Sequence, residues 1–225
     1  MQMQTVLDLH PKLLYYKNKR YITFVLESEA FTMPPRAKFT KAQITEAAFG
    51  ILRAEGMENL TARALGAKLG SSACPIFTAF ANMEEVQQSA IAAAKALYKE
   101  YVEKGLSETP AFKGVGMQYI QFAVNEPKLF QLLFMTEQSE MPDLNNILPL
   151  IDQSYADILV SITDNYGVSE ADAERLYRHL WIYTHGIAAL CATKMCRFTE
   201  AELGSLLTEV FISLLKKCKE GHSCD

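Results

Sequence analysis

The chain has 225 residues, with 22 Lys plus Arg against 26 Asp plus Glu and a formal net charge of −4. Hydrophobic residues make up 49% and charged residues 21%, a globular composition that excludes disordered, collagen-like and mucin-like chains. With no strongly basic tail, nucleic-acid binding must come from a local surface, because affinity for phosphate scales with the contacts neutralised.

Residues 1–33 differ in character from the rest of the chain. Lys12, Lys17, Lys19 and Arg20 precede neither a long apolar core nor a small-residue cleavage site, so no signal peptide is read there. Tyr21-Ile22-Thr23-Phe24-Val25-Leu26 is a short strand signal without a partner. Met33-Pro34-Pro35-Arg36 then breaks structure. Residues 1–33 read as an extension outside the folded core, the rival reading being an ordered arm on the body or on DNA. The 5 cysteines are odd in number and irregularly spaced, which points to free thiols in a reducing cytoplasm.

From Thr40 the pattern is helix after helix. Thr40 and Gln43 have capping-box spacing, and Ile44, Ala47, Ala48, Ile51 and Leu52 recur at helical period up to Glu55-Gly56. Thr61 caps a short helix with Ala64, Leu65, Ala67 and Leu69, closed by Gly70. Ser71 or Ser72 caps a third helix with Ile76, Phe77 and Phe80, where Pro75 falls in the first turn. Asn82 with Glu85 opens a long helix that ends near Gly105. Helices are expected over about 111–125, over Lys128 to Thr136, and from about Leu150 to Tyr166. Ser169 with Asp172 caps the next, to about Met195, and Thr199 with Glu202 caps the last. The best apolar stretch, Leu180 to Ala192, is shorter than the roughly 18 residues of a membrane span and reads as a buried helix. The fold class is all-α, about nine helices: residues 34–88 form a three-helix helix-turn-helix domain, 89–219 a helical body and 220–225 a tail.

The second helix, Gly70 and the third helix have helix-turn-helix spacing, in which the second helix of the pair enters the major groove. Spacing alone equally fits a plain three-helix core. Leu65-Gly66-Ala67-Lys68-Leu69-Gly70-Ser71-Ser72, followed by Ile76-Phe77-Thr78-Ala79-Phe80-Ala81-Asn82-Met83-Glu84-Glu85-Val86, resembles the N-terminal domain of tetracycline-repressor-like (TetR-type) transcriptional regulators. Residues 91–219 resemble the family by architecture. The resemblance implies a homodimer on a palindromic double-stranded DNA operator, with a small-molecule effector pocket in the second half. It implies a recognition helix made of Ser71, Ser72, Ala73, Cys74, Pro75, Phe77 and Thr78. It places Thr61 and Arg63 against phosphate and makes Arg36, Lys38 and Lys41 a basic arm. The chain departs from the family pattern at Phe77, where a Tyr is usual, at Met83, where Lys is usual, and at Thr78, often basic. Residues 34–90 hold Arg36, Lys38, Lys41, Arg53, Arg63 and Lys68 against five Glu, a small positive balance.

In the second half, Phe112, Tyr119, Phe122, Phe130, Phe134, Tyr155, Trp181, Tyr183 and His185 supply aromatics to helices that must pack together. Each alone reads as ordinary core. Together with Met117 and Met135 they suit an apolar pocket with polar anchors, and the site is placed on Tyr119, Phe122, Phe130, Phe134, Tyr155, Trp181 and His185. Gly186, costly within a helix, implies a close helix contact or a kink. The stripes on helices about 170–195 and 199–219 suit a two-fold four-helix interface.

Neither GxSxG, a P-loop nor GxGxxG occurs, and His10, His179, His185 and His222 show no close carboxylate pairing. Cys218, His222 and Cys224 match no standard zinc spacing. The sequence therefore implies no enzyme, metal or cofactor. It reads as a cytoplasmic regulator, most simply a repressor released by an apolar or aromatic effector. The alternative is a helical ligand-binding or protein-interaction module that has lost DNA affinity.

Overall fold

The computed structural model describes residues 38–137, 141–144 and 146–220. The strand signal at Tyr21–Leu26, the basic-arm residue Arg36 and the tail residues His222 and Cys224 lie outside them. Among the described residues the chain is all-helical, with nine α-helices, two 3₁₀ helices and no strand. None of these helices is long and apolar enough to cross a membrane.

Helix α1 (Lys41–Glu55) starts at the expected capping box: Gln43 N donates to Thr40 Oγ1 at 3.2 Å, and Thr40 N donates to Gln43 Oε1 at 2.9 Å. Its apolar stripe buries Ile44, Ala48, Ile51 and Leu52. Helix α2 (Ala62–Lys68) is capped by Thr61, whose hydroxyl accepts from Ala64 N. Gly70 turns the chain at φ +62, in the left-handed region open to Gly at little steric cost. Gly66 permits the close approach behind it, since a Cβ there would stand 3.0 Å from the Ser72 carbonyl carbon.

The third element differs from expectation. It is a 3₁₀ helix, Cys74–Thr78, preceded by Ala73 with no side-chain cap. Neither Ser71 nor Ser72 caps it. The reason is local: Pro75 removes a backbone donor, and the uncapped five-residue segment tightens into 3₁₀ geometry.

Helix α3 (Met83–Leu106) starts at Asn82, which accepts from Glu85 N at 2.9 Å. It returns through α4 (Ala111–Asn125). The two helices meet at glycines, where a Cβ on Gly105 would lie 2.6 Å from Val115 Cα and one on Gly114 2.3 Å from the Gly105 carbonyl. Helix α4 buries Phe112, Val115, Tyr119, Ile120 and Phe122 on more than one face, as a central helix must; it packs on α3 and on α8.

Beyond α4 come α5 (Pro127–Phe134), α6 (Ile147–Ile151), α7 (Tyr155–Tyr166), α8 (Glu170–Ala192) and α9 (Glu200–Lys219). The single helix expected over Leu150 to Tyr166 is two, broken at Asp152. There the Asp152 carboxylate accepts Ser154 N at 2.9 Å, a local bond that competes with helix. Helix α8 runs unbroken through Gly186, around whose Cβ position there is open space. No close contact among the described residues accounts for that glycine.

Candidate DNA-facing surface and ligand cavity

The helix-turn-helix unit is held by apolar packing of Ile44, Leu52, Leu65, Ile76 and Phe80. Outward from it stand Ser72, Cys74, Phe77 and Thr78, all exposed, while Ser71, Ala73 and Pro75 are half-buried. The Thr78 hydroxyl donates to the Pro75 carbonyl at 2.7 Å. Arg63 is exposed on α2. Thr61 serves as the α2 cap. Of the basic arm, Lys38 donates to Ser71 Oγ at 3.1 Å. Lys41 is tied down: its ammonium pairs with Glu85 Oε1 at 2.5 Å and lies 4.9 Å from the centre of the Phe80 ring. Glu85 also accepts Ala81 N, and the Lys41 contact, then this backbone bond, hold its carboxyl below the usual range.

The body encloses a cavity of about 310 Å³. Helices α3, α4, α7, α8 and α9 all contribute to its wall. Its aromatic lining is Tyr98, Phe112, Tyr119, Tyr166, Tyr177, Trp181 and Phe211. Pro110, Lys113 and Ile212 are exposed and form the rim, whereas Tyr98, Tyr119, Asp152, Tyr177 and Thr184 are buried at the inner end. Asp152 Oδ2 accepts from the hydroxyls of Tyr177 at 2.8 Å and Tyr98 at 3.4 Å. Burial raises the Asp152 carboxyl above its ordinary value, opposed by the bonds from Ser154 N, Tyr177 and Tyr98. Burial, reinforced by the Asp152 charge, pushes Tyr98 and Tyr177 up.

Of the residues expected in a pocket, Tyr119 and Trp181 line this cavity. The others do not. Phe122, Phe130 and Phe134 interlock with Tyr98 and Tyr119 in an aromatic core, with Tyr98 and Phe134 centroids 4.9 Å apart and Phe130 and Phe134 5.2 Å apart. His185 supports the wall from behind: its Nδ1 shares a 2.9 Å hydrogen bond with the Tyr119 hydroxyl, and burial lowers its pKa. Tyr155 stacks on Tyr177 at 5.8 Å and donates to Glu174 Oε1. Sequence reasoning passed over Tyr98, Asp152, Tyr166, Thr184 and Tyr177. The sequence signal available for Asp152 was a carboxylate three residues after Pro149 inside an apolar stretch.

Glu126, between α4 and α5, is 4% exposed and receives both Arg53 Nε (2.6 Å to Oε2) and Arg53 Nη2. This links α1 to the α4–α5 junction. Among the described residues no group of three or more His, Cys, Asp or Glu is arranged to hold a metal ion.

Residues 112–211 match the family model described as tetracyclin repressor-like, C-terminal domain. Comparison of the sequence with curated proteins finds no match. Among solved structures the chain is similar to the fatty acid degradation regulator FadR from Bacillus halodurans, at 17% identity and a TM-score of 0.51, over 78% of this chain and 94% of that one. It is also similar to a TetR-like transcriptional regulator from Rhodococcus sp. RHA1, at 13% identity and a TM-score of 0.51, over 84% of this chain and 100% of that one. At these identities the likeness is one of fold. Over residues 112–211 the chain is similar in sequence to tetracyclin repressor-like C-terminal domains, and over its described residues it shares the helical fold of these two solved structures.

Proposed function

We propose that this protein is a cytoplasmic, homodimeric transcriptional repressor that binds a palindromic operator through residues 34–88 and is released by a small molecule bound in residues 89–219. The observation that carries the reading is the connection between the two parts. Helix α4 lines the cavity through Phe112 and Tyr119, and its far end meets α1 of the helix-turn-helix unit through Glu126 and Arg53. A ligand that shifts α4 would therefore move α1 and the spacing of two recognition segments, which half-sites about 34–36 Å apart require to be matched.

The dimer is assigned to α8 and α9. Ile182, Gly186 and Leu190 share an exposed face of α8, and Ile212 is 57% exposed on α9. A glycine in mid-helix with open space around it is costly to the protomer alone; a partner helix crossing closely there would account for it.

The test is binding of the purified protein to its own upstream duplex under a salt titration. The expected result is affinity well above that for random duplex, falling steeply with salt. The second reading, a helical ligand-binding or interaction module without DNA affinity, draws on the neutralisation of Lys41 by Glu85 and on uncharged Thr78 and Met83. Equal, weak binding to both duplexes would favour it.

A further inference from the structure

Asp152 stands at the inner end of the cavity, 5% exposed, with Tyr98 and Tyr177 donating to one carboxylate oxygen and Ser154 N to the other. All these donors are neutral. Among the described residues no Lys, Arg or His forms an ion pair with Asp152, and the cavity's one basic residue, Lys113, is exposed at the rim. A buried carboxylate with donors and no counter-charge is expensive unless a cation reaches it. The surrounding wall is suited to a cation as well. Aromatic faces carry negative quadrupole charge and attract an ammonium group, most strongly where water is excluded.

Resting on the reading of this cavity as the effector site, we infer that the effector is an organic ammonium ion with an aromatic or branched apolar body, its charge seated against Asp152. The carboxylate's bonding capacity bears on the kind of ammonium. It offers about four lone-pair sites, and its described bonds to Tyr98, Tyr177 and Ser154 use most of them. A primary ammonium would bring three donors to the roughly one lone-pair site left on this carboxylate. A tertiary or quaternary ammonium needs charge and aromatic contact rather than hydrogen bonds. The cavity volume, about 310 Å³, is at the small end of ligand pockets and suits a compact body. An anionic head at the same inner end would meet the Asp152 charge.

The sequence's single tryptophan, Trp181, lies on the cavity wall, so its emission reports occupancy. The full-length protein is titrated with phenyltrimethylammonium, with its neutral isostere tert-butylbenzene, and with benzenesulfonate, each followed by Trp181 fluorescence and calorimetry. The expected result is that the cation binds at least about tenfold more tightly than the neutral probe, and benzenesulfonate least. Asp152→Asn should lower the cation's affinity by about tenfold or more and leave tert-butylbenzene within about twofold. Equal affinity for the cation and its isostere, or a cation affinity unchanged in Asp152→Asn, overturns the inference while leaving the cavity a ligand site. Absence of any response to all the probes overturns the effector-site reading and the inference with it. Should Asp152→Asn fail to fold, the wild-type comparison of the probes decides.

Discussion

The guanidinium of Arg53 grips the carboxylate of Glu126 through Nε and Nη2, and the pair is lopsided: the Glu126 side chain is 4% exposed, that of Arg53 52%. Removing either partner therefore has unequal consequences. Arg53→Ala leaves a buried carboxylate unpaired and should lower stability by about 1–3 kcal/mol. Glu126→Gln returns a half-exposed guanidinium to water and should cost less, about 1 kcal/mol or below. Urea unfolding of both variants checks this, and a larger loss in Glu126→Gln would contradict it.

Gly70 holds φ +62 in the turn before the 3₁₀ helix. Nothing lies near its Cβ position, so Gly70→Ala is strained by backbone conformation alone and should destabilise by about 1–2 kcal/mol. Gly66→Ala has a different cause. Its methyl would press on the Ser72 and Ala73 backbone, displacing the exposed segment. Duplex affinity should suffer more in Gly66→Ala than chemical denaturation alone would account for.

The proposed interface makes Gly186 a discriminating position. Open space around its Cβ within the protomer means that Gly186→Leu should leave the far-ultraviolet circular dichroism unchanged. A bulky side chain there should nevertheless weaken association, as should Ile182→Glu. Sedimentation equilibrium showing both variants as stable dimers at wild-type affinity would remove α8 from the interface.

The pH dependence of stability isolates Asp152. Burial raises its folded pKa above the ordinary 3.8, so the native state binds more protons than the unfolded chain between 3.8 and the raised value. Its contribution is fully present below 3.8 and is lost as pH rises through the folded value. Asp152→Asn should thus gain on wild type as pH rises from about 4 to 7. The neighbouring Tyr98, Tyr119 and Tyr177 are all pushed upward, first by burial, and stay neutral throughout. A constant difference between the two proteins across this range would refute the prediction.

Salt links should be separable by residue. Lys38 and Arg63 are exposed, and neither is ion-paired among the described residues, whereas Lys41 is paired with Glu85. If the exposed surface binds DNA, Lys38→Ala and Arg63→Ala should each reduce the salt slope by about 1. Lys41→Ala should change it less.

The helical character of the chain was legible residue by residue. Thr40 with Gln43, Thr61, Asn82 with Glu85, Ser169 with Asp172 and Thr199 with Glu202 all cap helices in the structure, because a cap is satisfied within one turn of its own sequence. The 3₁₀ form of Cys74–Thr78 and the helix break at Asp152 were misread, since each turns on competition between a local bond or a proline and the helix. The cavity lay beyond sequence reasoning for a different reason. Tyr98, Asp152 and Tyr177 belong to separate elements and meet only when α3, α8 and the α6–α7 break pack together. Aromatic content is local, but which ring faces space and which fills core depends on tertiary packing: Phe130 and Phe134 close on each other, whereas Trp181 and Phe112 face the void.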